Sequence, residues 1–282
     1  MRELSISKAL KSVIKYELMW DLRKLKIYIS LAIVTALALL VTIYIGSIVH
    51  ITNKQDYWYF SLAFLSTYLF LFLMGAPITM NSISGEFETG TIVPLLARPV
   101  SRTEVYFGKV IAALIIIIAE MTILGIILSV VSTIMMGPQA NLYRLIVLVL
   151  TLATSTMVYA AFTMMLSSVT KNSMAAILGS FGVMFGMEIG LGIYELVYKF
   201  QTWFLLVPFI GTGTLTSATE EAFLHPNQLY SVTLGLIRTP SQFLAQITNV
   251  QAALLSFTFA IISILVFLAI GWIAFKKSDI KE

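Results

Sequence analysis

The sequence predicts an all-α polytopic membrane protein with six transmembrane helices, and three observations carry the prediction. Hydrophobic residues make up 59% of the 282 and charged residues only 11%, against about a quarter charged in soluble domains. Six apolar runs, at 27–49, 57–80, 105–136, 142–170, 173–198 and 251–275, each meet the roughly 20-residue length needed to cross hydrocarbon. With the N-terminus inside, fourteen of the eighteen Lys and Arg fall on one side of the six alternating spans, which places both termini and the segment between spans two and three in the cytoplasm. Helix is the expected form throughout, because in hydrocarbon each backbone amide must be satisfied within its own segment. The basic pI of about 9.2 is then a topological bias and needs no nucleic acid to explain it.

The division that follows is an N-terminal amphipathic interface helix over 1–26, a six-helix transmembrane domain over 27–275 and a cytoplasmic tail over 276–282. At 100° per residue Ile6, Ala9, Leu10, Val13 and Ile14 share one side of a helix over 4–16, with Lys8, Lys11, Ser12 and Lys15 opposite, so this segment is expected to lie in the inner interface with its apolar stripe toward lipid. Glu17 and Asp21 continue that apolar side, which leaves two accounts open. Asp21 pairs locally with Lys24 at i,i+3, or the acids face protein, with Arg98 or Arg102 as partners. No short apolar core with a small-residue cleavage site precedes the first run, so no cleaved signal peptide is expected.

Residues 57–85 contain no charged residue, and the segment 84–109 then brings Glu86, Glu88, Arg98, Arg102, Glu104 and Lys109. Pro94 and Pro99 break it into short pieces, which predicts a brief helix over 89–97 and a new helix opened by a Ser101–Glu104 capping box. Ile92, Val93, Leu95 and Leu96 are four aliphatics that a solvated loop has no use for. The third run stops at Gly137-Pro138. The fourth repeats Thr151, Ser155, Tyr159, Thr163, Ser167 and Lys171 every four positions, a step that drifts about 40° per repeat and so suits helix-to-helix hydrogen bonding better than one pore-lining stripe. Gly182, Gly186 and Gly190 in the fifth permit close helix approach, within the chain or between subunits. In the outer segment 199–250, residues 203–210 are too short to span and are expected to dip into the outer leaflet or pack on the helices. Ser217 with Glu220 reads as a capping box, and Thr239-Pro240-Ser241-Gln242 predicts that the last helix starts near Pro240.

The chain has no cysteine, which excludes disulfides and thiolate metal sites. His50 and His225 have no ligands at metal spacing. The only Gly-Lys pair, Gly108-Lys109, is followed by Val110 and lacks the upstream glycine of a phosphate-binding loop. No enzymatic constellation is present. Glu120, Glu188 and Glu195 lie in or near spans, where a carboxyl defaults to a functional hypothesis; Glu195 has Lys199 four residues on as an interfacial partner.

The order Gly85-Glu86-x-Glu88-x-Gly90-Thr91, then Leu95-Leu96, then Arg98-Pro99-x-Ser101-Arg102, then Gly108-Lys109 is similar to the permease subunit of type-2 ATP-binding-cassette (ABC) exporters. Lys15-Tyr16-Glu17-Leu18 with Arg23 before the first span, and Phe275-Lys276-Lys277-Ser278-Asp279-Ile280 after the last, agree with it. The resemblance covers nearly the whole chain through the order and spacing of its pieces. It implies a cytoplasmic coupling helix between helices 2 and 3, with Glu86, Glu88, Thr89, Gly90, Thr91, Leu95, Leu96, Arg98 and Arg102 coupling to an ATPase and Glu17, Asp21 and Arg23 on the interface helix. By the same analogy Tyr68, Phe72, Met74, Met184, Met187 and Glu188 are candidates to line the path. The implied partners are a cytoplasmic ABC ATPase subunit, which holds ATP and Mg while this chain holds no cofactor, and a second permease subunit, in a homo- or heterodimer at the plasma membrane. The rival is an ion-coupled carrier or channel using Glu120 and Glu188, and a third reading is a membrane anchor or assembly factor.

Overall fold

The protein is described by a computed structural model over residues 6–48, 68–92, 100–139, 141–198, 232–234, 237–239 and 248–278, together with residues 209, 215, 218, 219, 222, 223 and 227. In chain order these form α1 (Ile6–Asp21), α2 (Leu25–Ile48), α3 (Tyr68–Thr79), α4 (Ser84–Glu88), α5 (Arg102–Met136), α6 (Leu145–Thr170) preceded by a 3₁₀ turn, α7 (Ser173–Tyr198), the strands β1 (Val232–Leu234) and β2 (Ile237–Thr239), and α8 (Asn249–Lys277). Among the described residues four stretches are long and apolar enough to cross a membrane: Leu25–Tyr44, Arg102–Met136, Leu142–Thr170 and Asn249–Lys277; Ser173–Met187 is a shorter apolar helix. The chain is an all-α membrane protein, and its described residues add one antiparallel ribbon, in which Val232 faces Thr239 and Leu234 faces Ile237. Residues 49–67, which include 57–67 of the second run, lie outside the described residues.

The hub is α6, against which α8, α3, α7 and α5 all pack. Small residues make this possible. Gly75 of α3 lies so close that an added Cβ would come 2.7 Å from the Thr156 carbonyl oxygen and 3.2 Å from the Ala160 amide nitrogen, and the Thr79 hydroxyl donates to the Ala160 carbonyl at 2.9 Å. Gly271 of α8 plays the same part, with Tyr106 Oη and the Met165 Cα at 2.5 and 3.1 Å from its would-be Cβ. The polar series of the fourth run is accordingly buried: Thr151, Ser155, Tyr159, Thr163 and Ser167 all sit inside the bundle. Thr151 and Thr163 bond to their own helix, whereas Ser167 and Tyr159 reach other elements. Tyr159 donates to the Phe209 carbonyl at 3.3 Å, and the buried Phe209 ring meets Tyr159, Phe162 and Phe267. That one described residue of 203–210 packs on the helices.

Two helix starts are decided by caps. Ser101 and Glu104 close the expected capping box on α5, and Gly137, at φ 86°, ends that helix. The last helix does not begin near Pro240. Thr239 pairs in the β ribbon, and α8 starts at Asn249 because Thr248 and Gln251 form a complete capping box there. The Ser217–Glu220 box falls outside the described residues.

Candidate coupling site

The apolar stripe of α1 does not turn toward lipid. Val13 packs against Gly108 of α5, where an added Cβ would lie 2.5 Å from Val13 Cγ1, and the buried side of α1 continues through Glu17 to Asp21. The acids share the apolar side because that side faces protein. Asp21 accepts from Lys24 at 2.5 Å, as the local account requires. Glu17 instead meets Lys109, whose ammonium stands 2.7 Å from Glu17 Oε1 and 3.0 Å from Glu86 Oε1. Arg102 is not the partner, because it caps the end of α8 by donating to the carbonyls of Phe275, Lys276 and Ser278 at 3.3, 3.2 and 2.8 Å; Arg98 lies outside the described residues.

One buried cation thus joins three elements, α1, α4 and α5. Gly108 lets the α1 backbone approach, and Lys109 occupies the position that approach creates. Removing these charges from water is repaid only by good geometry and further hydrogen bonds, which Thr91 supplies by donating its hydroxyl to Glu86. A single ammonium facing two carboxylates leaves one negative charge in excess, and the two acids respond differently. Burial pushes the Glu17 carboxyl up, against the pull of Lys109 and with Asp21 and Glu86 adding to the rise. Burial also raises Glu86, but the Lys109 ammonium and the hydrogen bonds from Thr91 and Lys109 together hold it below the usual carboxylate range.

Glu88 faces the other way. Its carboxylate accepts the Ser173 amide at 2.6 Å and the Ser173 hydroxyl at 2.8 Å, capping the N-terminus of α7, where an anion also opposes the helix dipole. Those bonds, the backbone one first, hold its carboxyl low. Behind it Ser84 and Ser173 share a hydroxyl contact of 2.8 Å, and Ser167 accepts the Ser84 amide at 2.9 Å. Lys171 lies 5.0 Å above the Phe87 ring.

Ser84–Glu88 is helical, with Thr89 as its C-cap and Gly90 at φ 70°; of the helix expected over 89–97, Thr89 to Thr91 are not helical, Ile92 is, and 93–97 lie outside the described residues. Of the aliphatics, Ile92 is buried, while Val93, Leu95 and Leu96 fall outside the described residues with Arg98. Thr89, Gly90 and Thr91 are exposed, as is Arg23. Phe72, Met74 and Met184 are core residues and Met187 packs against them; the side chains of Tyr68 and Glu188 lie outside the described set. Glu120 is buried on α5 with neither oxygen hydrogen-bonded. Sequence reading named Gly108 and Lys109 in the order of motifs but gave them no role in the site, and it passed over Ser173. The signal for Lys109 was there, a lone cation at the mouth of an apolar run in reach of acids on two flanking segments.

Long apolar helices around a buried charged junction define a multi-pass membrane protein whose polar segment is locked to its spans. The chain belongs to the ABC-2 family of transporter proteins, whose family model, described as ABC-2 family transporter protein, matches residues 7–280. It is therefore the membrane subunit of an ABC transporter, and the ion-coupled carrier reading is not favoured. No curated protein sequence matches the chain.

Proposed function

We propose that the chain is an exporter's permease subunit, with six spans, working as a dimer at the plasma membrane and energised by two cytoplasmic ATPase subunits that hold ATP and Mg. Segment 84–109 is its coupling loop, α1 its interface helix, 199–250 its outer segment and 276–282 its cytoplasmic tail. The observation that carries this reading is the double ion pair of Lys109. A push on the exposed Thr89–Thr91 corner reaches α5 and α1 through Glu86 and Lys109, and reaches α7 through Glu88 and Ser173. Closure of the ATPase subunits on ATP would tilt these helices together and alternate access to the path. On α7, Gly182, Gly186 and Gly190 have open space where a Cβ would stand, which suits a close contact with the second permease subunit.

The test of the coupling is a cysteine at Thr89 in this naturally Cys-free chain, co-expressed with its partners. A short bifunctional thiol reagent should cross-link it to the ATPase subunit, with a yield that changes on vanadate trapping. Absence of any cross-link in an ATP-hydrolysing complex would remove the corner from the interface. Topology is checked separately with an impermeant thiol reagent on intact cells. Asn227→Cys should label, and Thr89→Cys and Lys277→Cys, all exposed positions, should label only after permeabilisation. Labelling of either of the last two on intact cells inverts the arrangement.

A further inference from the structure

Both acids of α1 are taken on its inner side, Glu17 by Lys109 and Asp21 by Lys24, and this leaves the other side with uncompensated cations. Lys11, Lys15 and Arg23 are exposed and make no ion pair among the described residues. Interleaved with them are Tyr16, Met19 and Trp20, about half exposed, the two rings stacked with centroids 6.3 Å apart. This is the opposite of a solvated face, where such rings have no use.

The surface does not stop at α1. Leu22 and Leu25 at the break are 52% and 71% exposed, and they lead onto the exposed flank of the first span at Ile29 and Ile33. Tyr28 links the two, its hydroxyl donating to the Leu22 carbonyl at 2.7 Å. A flank of a spanning helix faces acyl chains, so the surface continuous with it lies at headgroup depth. There aromatic rings with a polar edge are enriched and cations meet lipid phosphates.

We propose that the outer face of α1, with the turn that follows it, is a binding surface for anionic phospholipid headgroups, with Lys11 and Lys15 of the helix and Arg23 of the turn holding the charge and Tyr16, Met19 and Trp20 seated at the level of the upper acyl chains. The proposal rests on the membrane placement of the chain and on the charge balance of α1, and it is independent of ATPase coupling and of transport direction.

The test uses the full-length chain carrying Trp20 as its only tryptophan (Trp58→Phe, Trp203→Phe, Trp272→Phe), reconstituted in phosphatidylcholine vesicles. Trp20 fluorescence is followed as brominated phosphatidylglycerol, or separately brominated phosphatidylcholine, is added at rising mole fraction. The expected result is quenching by both, with phosphatidylglycerol acting at the lower mole fraction and losing that advantage in high salt. Lys11→Gln, Lys15→Gln and Arg23→Gln should each shift the phosphatidylglycerol curve toward the phosphatidylcholine curve, by up to about fivefold per cation at ~1 kcal/mol each. Equal quenching by the two lipids, or a preference that survives all three substitutions, overturns the headgroup assignment. Quenching by neither lipid shows a face covered by protein and overturns the proposal outright.

Discussion

Lys109→Met is expected to destabilise the chain by about 3–5 kcal/mol, because it strips the counter-ion from a buried carboxylate on α1 and a second on α4. Thermal unfolding of the purified subunit in detergent, read by tryptophan fluorescence, is the measurement. The companion variant decides the cause. Lys109→Met with Glu17→Leu should recover the share of the loss that belongs to Glu17, since an apolar pair of similar volume replaces that ion pair while Glu86 keeps its bond from Thr91; no recovery would show that the lysine acts through packing alone. Acid should also separate the two carboxylates. The raised Glu17 contributes stability that is complete below its unfolded value near 4.5 and fades as pH rises through its folded value. The lowered Glu86 works in the opposite sense, stabilising above about 4.5 and losing that stability as pH falls through its folded value. Glu17→Gln should therefore flatten the stability profile above pH 4.5 and leave its acid limb in place.

Enlarging Gly75 should be the most damaging change in the bundle. Its would-be Cβ meets main-chain atoms of Thr156 and Ala160 at 2.7 and 3.2 Å, which have no rotamer by which to withdraw. Gly75→Ala is expected to cost about 1–3 kcal/mol, or several degrees in unfolding midpoint at ~2–4 °C per kcal/mol. Gly75→Leu should prevent α3 and α6 from closing and remove the subunit from the membrane fraction. Gly182→Ala is the control for unfolding of the isolated subunit, because nothing within the chain lies within 4 Å of its would-be Cβ. A neutral Gly75→Ala would mean that α3 and α6 separate freely.

The sequence revealed the long helices because their cause is local: twenty or more apolar residues admit one structure in hydrocarbon. The α5 start was legible for the same reason, as Ser101 and Glu104 are three residues apart. The α8 start was misread because two segments carry N-cap chemistry, Thr239-Pro240 and Thr248 with Gln251, and strand pairing of Thr239 takes the first. Periodicity correctly put Val13, Glu17 and Asp21 on one side of α1, yet a moment says only that a side is apolar and not whether lipid or protein covers it. The partners of Glu17 and Glu88 were hidden because Lys109 and Ser173 are 92 and 85 residues away in the chain, and only the packing of α1 on α5 and of α4 beside α7 brings them together. The two acids two residues apart were expected to act alike; helical geometry sends one to α5 and the other to α7.

The 35 residues of α5 have a consequence for the lipid around them. At 1.5 Å per residue the helix is about 52 Å long, while the hydrocarbon layer is only about 30 Å. Helix tilts reach about 40°, which shortens the projection of α5 to about 40 Å and still leaves a surplus. The stretch from Arg102 to Lys109, roughly the first 10 Å, is the part whose charges are at home among headgroups. The remaining 27 residues, about 40 Å long when upright, fit the hydrocarbon layer only near that limiting tilt. Thickening the host membrane should let α5 stand more upright, and through Lys109 that change of inclination would carry α1 and the 84–92 corner with it, making the thickness of the surrounding bilayer a variable of this transporter's working cycle.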